Sequence, residues 1–141
     1  MNLAQPTLPT IEKRKSVLEK LINNAYSPYS KFSVAAYIET IDGEHFQGVN
    51  VENSSYSLTI CAEASAIAQM ISNLGKTTIH NILIISDSDK PCPPCGACLQ
   101  RLIEFGDKNT MVYLSYAGSE TIEAHNLASL IPLQFNDTFL Q

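Results

Sequence analysis

The chain has 141 residues, 45% of them hydrophobic and 16% charged, with a formal net charge of −5. That length suits one domain able to bury its own core, and an acidic chain with no basic run argues against a nucleic-acid partner. No apolar run approaches the roughly 20 residues that cross a bilayer, and no apolar stretch of a secretion signal follows the first charges. The expected partners therefore include no membrane, and the expected location is the cytoplasm, where clustered cysteines serve metals or catalysis rather than disulfides.

Residues 1–9, with Pro6 and Pro9, read as a flexible arm ahead of a single domain over 10–141. Thr10 fits an N-cap, and Leu18, Leu21, Ile22 and Ala25 share one face of a helix predicted from about Ile11 to Ala25, stopped before Pro28. Ser33–Thr40 and Glu44–Val49 are β-prone, and Asp42-Gly43 between them signals a hairpin. A polar loop from Asn50 through Ser57 leads to an alanine-rich helix predicted over Cys61–Asn73, ended by Gly75. Ile82–Ile85 is a continuous apolar run, as in a strand covered on both faces. Pro91, Pro93 and Pro94 force an extended loop before a third helix, Cys95–Phe105, closed by Gly106. Met111–Ser115 reads as a strand, Thr121–Ala124 as a short one, and Asn126–Ile131 as a short helix before Pro132. A hairpin followed by alternating helix and strand gives an α/β fold: a three-layer α/β/α sandwich around a mixed central sheet of about five strands.

Both cysteine motifs fall at predicted helix starts. Cys61-Ala62-Glu63 opens one helix and Pro94-Cys95-Gly96-Ala97-Cys98 opens the next, and helices that follow strands of one sheet can bring their starts to one end of it. A helix start offers free N–H groups and a partial positive charge, which favour thiolates. Cys61, Cys95 and Cys98 would fill three corners of a zinc tetrahedron and leave the fourth for water. Glu63, two residues beyond the first sulfur, would then move protons at the open corner. This is the pattern of a hydrolytic zinc deaminase. Cys92 leaves alternatives open. With Cys61, Cys95 and Cys98 it could close a four-sulfur structural zinc site, and Cys92-Pro93-Pro94-Cys95 also has the spacing of a redox pair or a cluster ligand set. Those arrangements give Glu63 no function, and Cys92 is read as a bystander thiol. His45, His80 and His125 sit away from both motifs and are read as surface or packing residues.

With these motifs the chain resembles the cytidine deaminases, specifically the small homotetrameric kind with three cysteine ligands. The resemblance runs from about Tyr26 to Phe135 and includes Tyr26-Ser27-Pro28-Tyr29-Ser30-Lys31-Phe32-Ser33-Val34 and Gly48-Val49-Asn50-Val51-Glu52-Asn53. It implies one Zn²⁺ per subunit and hydrolysis of cytidine and 2′-deoxycytidine to uridine and deoxyuridine, with release of ammonia, in pyrimidine salvage. It also implies that Asn50 and Glu52 hold the ribose 3′-hydroxyl, that Phe32 packs by the nucleoside, that the Ala62 backbone binds the pyrimidine carbonyl, and that the Pro93 carbonyl meets the amino group. Tyr56 and Phe135 would enter a neighbouring subunit's site, making a homotetramer with shared active sites. A non-catalytic zinc-stabilised binding module and a deaminase of another nucleoside-like substrate such as blasticidin S are the alternatives; Glu52, as a sugar-binding carboxylate, speaks against the second. Two positions depart from the family pattern. Ala64 stands where Arg usually follows the catalytic Glu, and Leu99 where Arg often precedes Gln100. The expectation is that the two helix ends, each worth roughly +0.5 charge, carry more of the task of offsetting the thiolates.

Overall fold

The apolar run at Ile82–Ile85 is the middle of the sheet. A computed structural model describes residues 3–140. Its elements in chain order are α1 (Leu8–Leu21), β1 (Val34–Thr40), β2 (His45–Val49), α2 (Ala62–Leu74), β3 (Ile79–Ser86), α3 (Gly96–Phe105), β4 (Met111–Tyr116), β5 (Glu123–Asn126) and α4 (Leu127–Leu130), with short 3-10 turns at Ile22–Asn24, Tyr56–Leu58 and Asp137–Leu140. The strands form one sheet in the order β2-β1-β3-β4-β5. The β3–β4 pair is parallel and every other neighbouring pair is antiparallel.

The period-two alternation of strands divides the core between two faces. Ala36, Ile82, Ile84, Val112 and Leu114 point to the side covered by α2, α3 and α4. Ala35, Leu83, Ile85 and Tyr113 point to the side covered by α1, where Ile11, Leu18 and Ile22 meet them. This is the expected three-layer arrangement. All eight residues of β3 are buried, and each of its large aliphatic side chains contributes about 1.5–3 kcal/mol of burial.

Topology then decides where the cysteines go. The chain passes from β2 through α2 to β3, and from β3 through α3 to β4, moving the same way across the sheet each time. Right-handed crossovers therefore place both helices on one face, with both helix starts at the same end. The approach of α2 to the sheet is set by Gly48 in β2. A Cβ there would lie 2.5 Å from both the Ala62 carbonyl oxygen and the Ala66 amide nitrogen. Ser65 Oγ donates to the Val49 carbonyl at 2.9 Å, tying the same helix to the same strand.

Several boundaries differ from expectation. The first helix starts at Leu8, because Pro9 is suited to a first turn with free N–H groups. Thr7 is its N-cap, and Thr10 lies inside the helix with its hydroxyl 3.1 Å from that of Thr7. Its last turn tightens into the 3-10 segment that buries Ile22. The expected arm is correspondingly shorter. Leu8 and Pro9 are helical, Gln5 Nε2 donates to the Asn109 carbonyl at 3.0 Å, and the Ala4 carbonyl lies 3.2 Å from His80 Nε2; Met1 and Asn2 lie outside the described residues. The fifth strand is Glu123–Asn126 rather than Thr121–Ala124, because the Thr121 amide is held in a turn by Ser119 Oγ at 2.9 Å and its carbonyl by Ser115 Oγ at 2.6 Å. Asn126 Oδ1 accepts from the Ala128 amide at 2.9 Å and caps α4, which is a single turn.

Between α1 and the sheet lies a closed polar ring. Arg14 donates to Glu39 Oε1 at 2.7 Å and to Asn81 Oδ1 at 3.1 Å, and Asn81 Nδ2 donates to Glu39 Oε2 at 2.6 Å. Burial alone would raise the Glu39 pKa, but the bonds from Arg14 and Asn81 outweigh it and hold the carboxyl below its ordinary 4.5. A depressed folded-state pKa gives stability that is complete above the unfolded value and is lost as pH falls through the folded one. Glu39→Ala leaves Arg14 as a buried, uncompensated charge and should cost about 3–5 kcal/mol at neutral pH. The gap from wild type should close as the pH of the denaturant titration falls through the lowered Glu39 value, below the ordinary 4.5, where wild type loses the same ion pair. A pH-independent gap would show that the ring contributes no ion-pair stability. For the β2–α2 contact, Gly48→Ala should cost about 1–3 kcal/mol through overpacking and lower metal retention as well, since α2 carries Cys61 and Glu63. Unchanged stability and retention would show that the contact is not limiting.

Candidate active site

The two helix starts border one cavity. Cys61 is the N-cap of α2 and Cys95 the N-cap of α3, and both line a space of about 440 Å³ at that end of the sheet. Phe32, Asn50, Glu52, Ala62, Glu63, Pro93 and Cys98 line it too. So nine of the eleven residues singled out in the sequence meet at one place.

The floor is a cluster of donors. One ligand atom each of Cys61, Glu63 and Cys98 lies within 4.8 Å of the others. Cys95 borders the same cavity but lies outside that cluster. The cysteines are free thiols. Cys98 donates to Cys61, and this bond does most to push the Cys98 thiol up, with burial and the neighbouring negative charges of Glu63, Cys61 and Cys95 adding to it. The same bond is the main cause that draws Cys61 below its ordinary value; burial and Glu63 oppose it, while the Ala64 amide and the charge of Arg101 assist. Cys61 is thus the stronger thiolate, and a soft divalent ion would replace the proton it shares with Cys98. Thiolates and an adjacent carboxylate are a donor set that suits zinc. Cys92 also lines the cavity. Burial, and then the charges of Glu63 and Cys95, push its thiol up, so it remains protonated at neutral pH.

The upper wall is braced by Asn50 and Glu52. Asn50 Oδ1 accepts from the Val34 amide at 2.9 Å and its Nδ2 donates to the Phe32 carbonyl at 2.8 Å. Glu52 Oε1 accepts from the amides of Tyr29 at 3.2 Å and Ser30 at 3.1 Å. Loss of hydration would raise the Glu52 carboxyl, but the Ser30 and Tyr29 donors and the charge of Lys31 hold it below its ordinary value. Lys31 sits at φ 59, a left-handed conformation in a non-glycine residue, and the two polar side chains on either side of this loop keep it there. Each retains free capacity, since an amide nitrogen has a second N–H and a carboxylate has further lone pairs.

Tyr56 and Phe135 do not reach this cavity. Tyr56 is 76% exposed and packs edge-on against Tyr29, with ring centroids 6.0 Å apart. Phe135 is 56% exposed and stacks on Phe139 at 5.7 Å, while its carbonyl accepts from Gln100 Nε2 at 2.9 Å. None of the three histidines lines the cavity. Sequence reasoning missed Arg101, which lines it from α3; its signal was the position three residues after Cys98, on the same helix face. Leu99, by contrast, packs against the core cluster beneath the helix.

The comparisons agree with this geometry. Residues 10–114 match the family model described as the cytidine and deoxycytidylate deaminase zinc-binding region. A cytidine deaminase of Sporosarcina psychrophila is 37% identical over 126 residues, covering 89% of this chain and 91% of that protein. One of Mycoplasma pneumoniae is 42% identical over 97 residues, covering 68% of this chain and 72% of that protein. Among solved structures, the cytidine deaminase of Burkholderia pseudomallei superposes with a TM-score of 0.76 at 33% identity, covering 85% of this chain and 94% of that one. The cytidine deaminase of Mycobacterium tuberculosis gives 0.74 at 30% identity, covering 86% and 94%. With a family-model match over residues 10–114 and relatives 37% and 42% identical over most of the chain, the chain belongs to the cytidine and deoxycytidylate deaminase zinc-binding family.

Proposed function

We propose that this chain is a zinc-dependent cytidine deaminase that hydrolyses cytidine and 2′-deoxycytidine to uridine and deoxyuridine, releasing ammonia. The observation that carries this is the meeting of Cys61, Cys98 and Glu63 at the floor of a cavity walled by Phe32, Asn50 and Glu52. Cys61, Cys95 and Cys98 would hold one Zn²⁺ per subunit, with Cys95 turning inward about its Cα–Cβ bond from the start of α3. Bound there, zinc supplies Lewis-acid activation of water at neutral pH.

Glu63 then does the proton work. It takes a proton from the water that attacks the amidine carbon and passes it to the adjacent ring nitrogen. It next delivers the second proton to the departing amine, so that water's oxygen stays as the new carbonyl and ammonia leaves. Its place in the first turn of α2, two residues from Cys61, keeps the carboxylate beside the reacting carbon. The first-turn amide of Ala62 has no partner within the helix and binds the pyrimidine carbonyl, the Pro93 carbonyl accepts from the substrate amino group, and Phe32 packs on the nucleoside. Asn50 donates to the ribose 3′-hydroxyl and Glu52 accepts from it, both already fixed by the 29–34 backbone. The alternative of a zinc-stabilised module without activity leaves Glu63 in the donor cluster with no task, and a polynucleotide substrate is disfavoured by the −5 charge.

We infer that the chain also assembles in the way its resemblance to the small three-cysteine cytidine deaminases implies. Tyr56, Leu58, Ile60 and Phe135 are exposed around the loop and tail that flank the cavity, and apolar surface of this kind marks an interface. Tyr56 and Phe135 fail to reach their own cavity and would complete a neighbour's, making a homotetramer with shared sites. A soluble nucleoside enzyme of pyrimidine salvage in the cytoplasm is the setting; no helix among the described residues is long and apolar enough to cross a membrane.

An ultraviolet assay of cytidine loss, run with a zinc count per subunit, tests the chemistry. Wild type should turn over with one zinc. Glu63→Gln should keep the zinc and lose about 10²–10⁴-fold in kcat. Cys92→Ser should change neither; loss of zinc in that variant would favour the closed four-sulfur site, and a zinc-loaded wild type without turnover would sink the enzyme assignment. For the assembly, light scattering should give a tetramer, and Phe135→Ala should raise KM by about fivefold or more with zinc content unaltered. A fully active monomer would rule out the shared-site roles of Tyr56 and Phe135.

A further inference from the structure

One cavity-lining hydroxyl has no part in the reaction. Ser30 borders the cavity between Phe32 and Glu52, and it is bonded to both. Its amide donates to Glu52 Oε1 at 3.1 Å and to Oε2 at 3.3 Å, so a single N–H is shared by the two carboxylate oxygens and orients the carboxylate plane. Its hydroxyl accepts from the Phe32 amide at 3.0 Å, a serine turn of the local kind that competes with regular structure.

The residue between them shows why the hydroxyl is needed. Lys31 has φ 59, a conformation that costs free energy for any residue with a side chain. Two bonds close the turn around it. The Lys31 amide donates to the Ser27 carbonyl at 3.0 Å, and the Phe32 amide donates to the Ser30 hydroxyl. Among the described residues the Phe32 amide has no other partner. Without the hydroxyl that amide must turn to water, the left-handed turn relaxes, and the Ser30 amide swings off Glu52.

The two sugar-facing side chains are unequally exposed to that loss. Asn50 keeps an independent anchor, the Val34 amide on Oδ1 at 2.9 Å. The Glu52 carboxylate is held only by the amides of Tyr29 and Ser30 among the described residues. Relaxation of the turn therefore falls on Glu52.

We propose that Ser30 is the positioning residue for Glu52, its hydroxyl locking the left-handed turn at Lys31 so that its own amide holds the carboxylate toward the ribose 3′-hydroxyl. This rests on the reading of Glu52 as the acceptor of that hydroxyl and adds the residue that aims it. Ser30 acts through Glu52 and touches neither the reacting carbon nor the metal.

The test compares cytidine with 3′-deoxycytidine, which lacks the hydroxyl in question, in zinc-loaded wild type, Ser30→Ala and Ser30→Thr. Ser30→Ala should lose about 3–10-fold in kcat/KM with cytidine, carried by KM with kcat little changed, and less than about twofold with 3′-deoxycytidine. Ser30→Thr keeps a hydroxyl and should recover most of the loss. With Glu52→Ala already in place, Ser30→Ala should cost less than about twofold with cytidine, because the group it aims is gone. A merely structural serine would lower both substrates alike, and equal losses overturn the proposal. It is also overturned by unchanged kinetics of Ser30→Ala, by a Ser30→Thr no better than Ser30→Ala, or by an undiminished loss in the Glu52→Ala background, which would show the hydroxyl acting on its own. In each of those cases the reading of Glu52 stands if wild type prefers cytidine and Glu52→Ala removes that preference. A wild type indifferent to the 3′-hydroxyl, or one that turns over neither nucleoside, overturns both.

Discussion

Everything at the active site depends on two helices starting at the same end of one sheet and on the same face of it. That convergence follows from two crossovers running in one direction, β2 to β3 and β3 to β4, over strands that point the same way. It turns two short motifs more than thirty residues apart into a single cluster of donor atoms. The contact that holds the convergence is close backbone packing between β2 and α2, where Gly48 leaves no room for a side chain. The clustering of Cys61, Glu63 and Cys98 and the placing of the cavity follow from it.

The second constraint is the double use of Asn50 and Glu52. Their bonds to the backbone of residues 29–34 fix a loop that includes a left-handed lysine. The same groups face the cavity with unused donor and acceptor capacity. A side chain already immobilised by the fold loses little further freedom when it meets a ligand, which is the physical content of preorganisation. The wall of the cavity and the brace that shapes the loop are thus one structure.

Electrostatics divides the molecule into two regimes. Between α1 and the sheet, Arg14, Glu39 and Asn81 satisfy one another completely, and no buried side-chain nitrogen or oxygen among the described residues lacks a partner. At the cavity the balance differs: acids cluster there, and the bond to Cys61, burial and the neighbouring negative charges together push the Cys98 thiol up. Stability is concentrated in the first region and reactivity in the second.

The elements and the chemistry were readable from local pattern, because helix caps, the Asp42-Gly43 turn, the apolar run of β3 and ligand spacing are short-range signals. Cys61, Glu63, Cys95 and Cys98 are singled out by residue type and offset from a helix start, and all four line the cavity. Boundaries slipped where a competing hydrogen bond intervened, as at Thr121, or where a proline opened a helix rather than delayed it, as at Pro9. What no local pattern contained was which side chains from distant segments meet. The ring of Arg14, Glu39 and Asn81 and the close approach at Gly48 are contacts set by the sheet order and crossover direction. Those are set by how whole elements pack, so they exist only once the chain has folded.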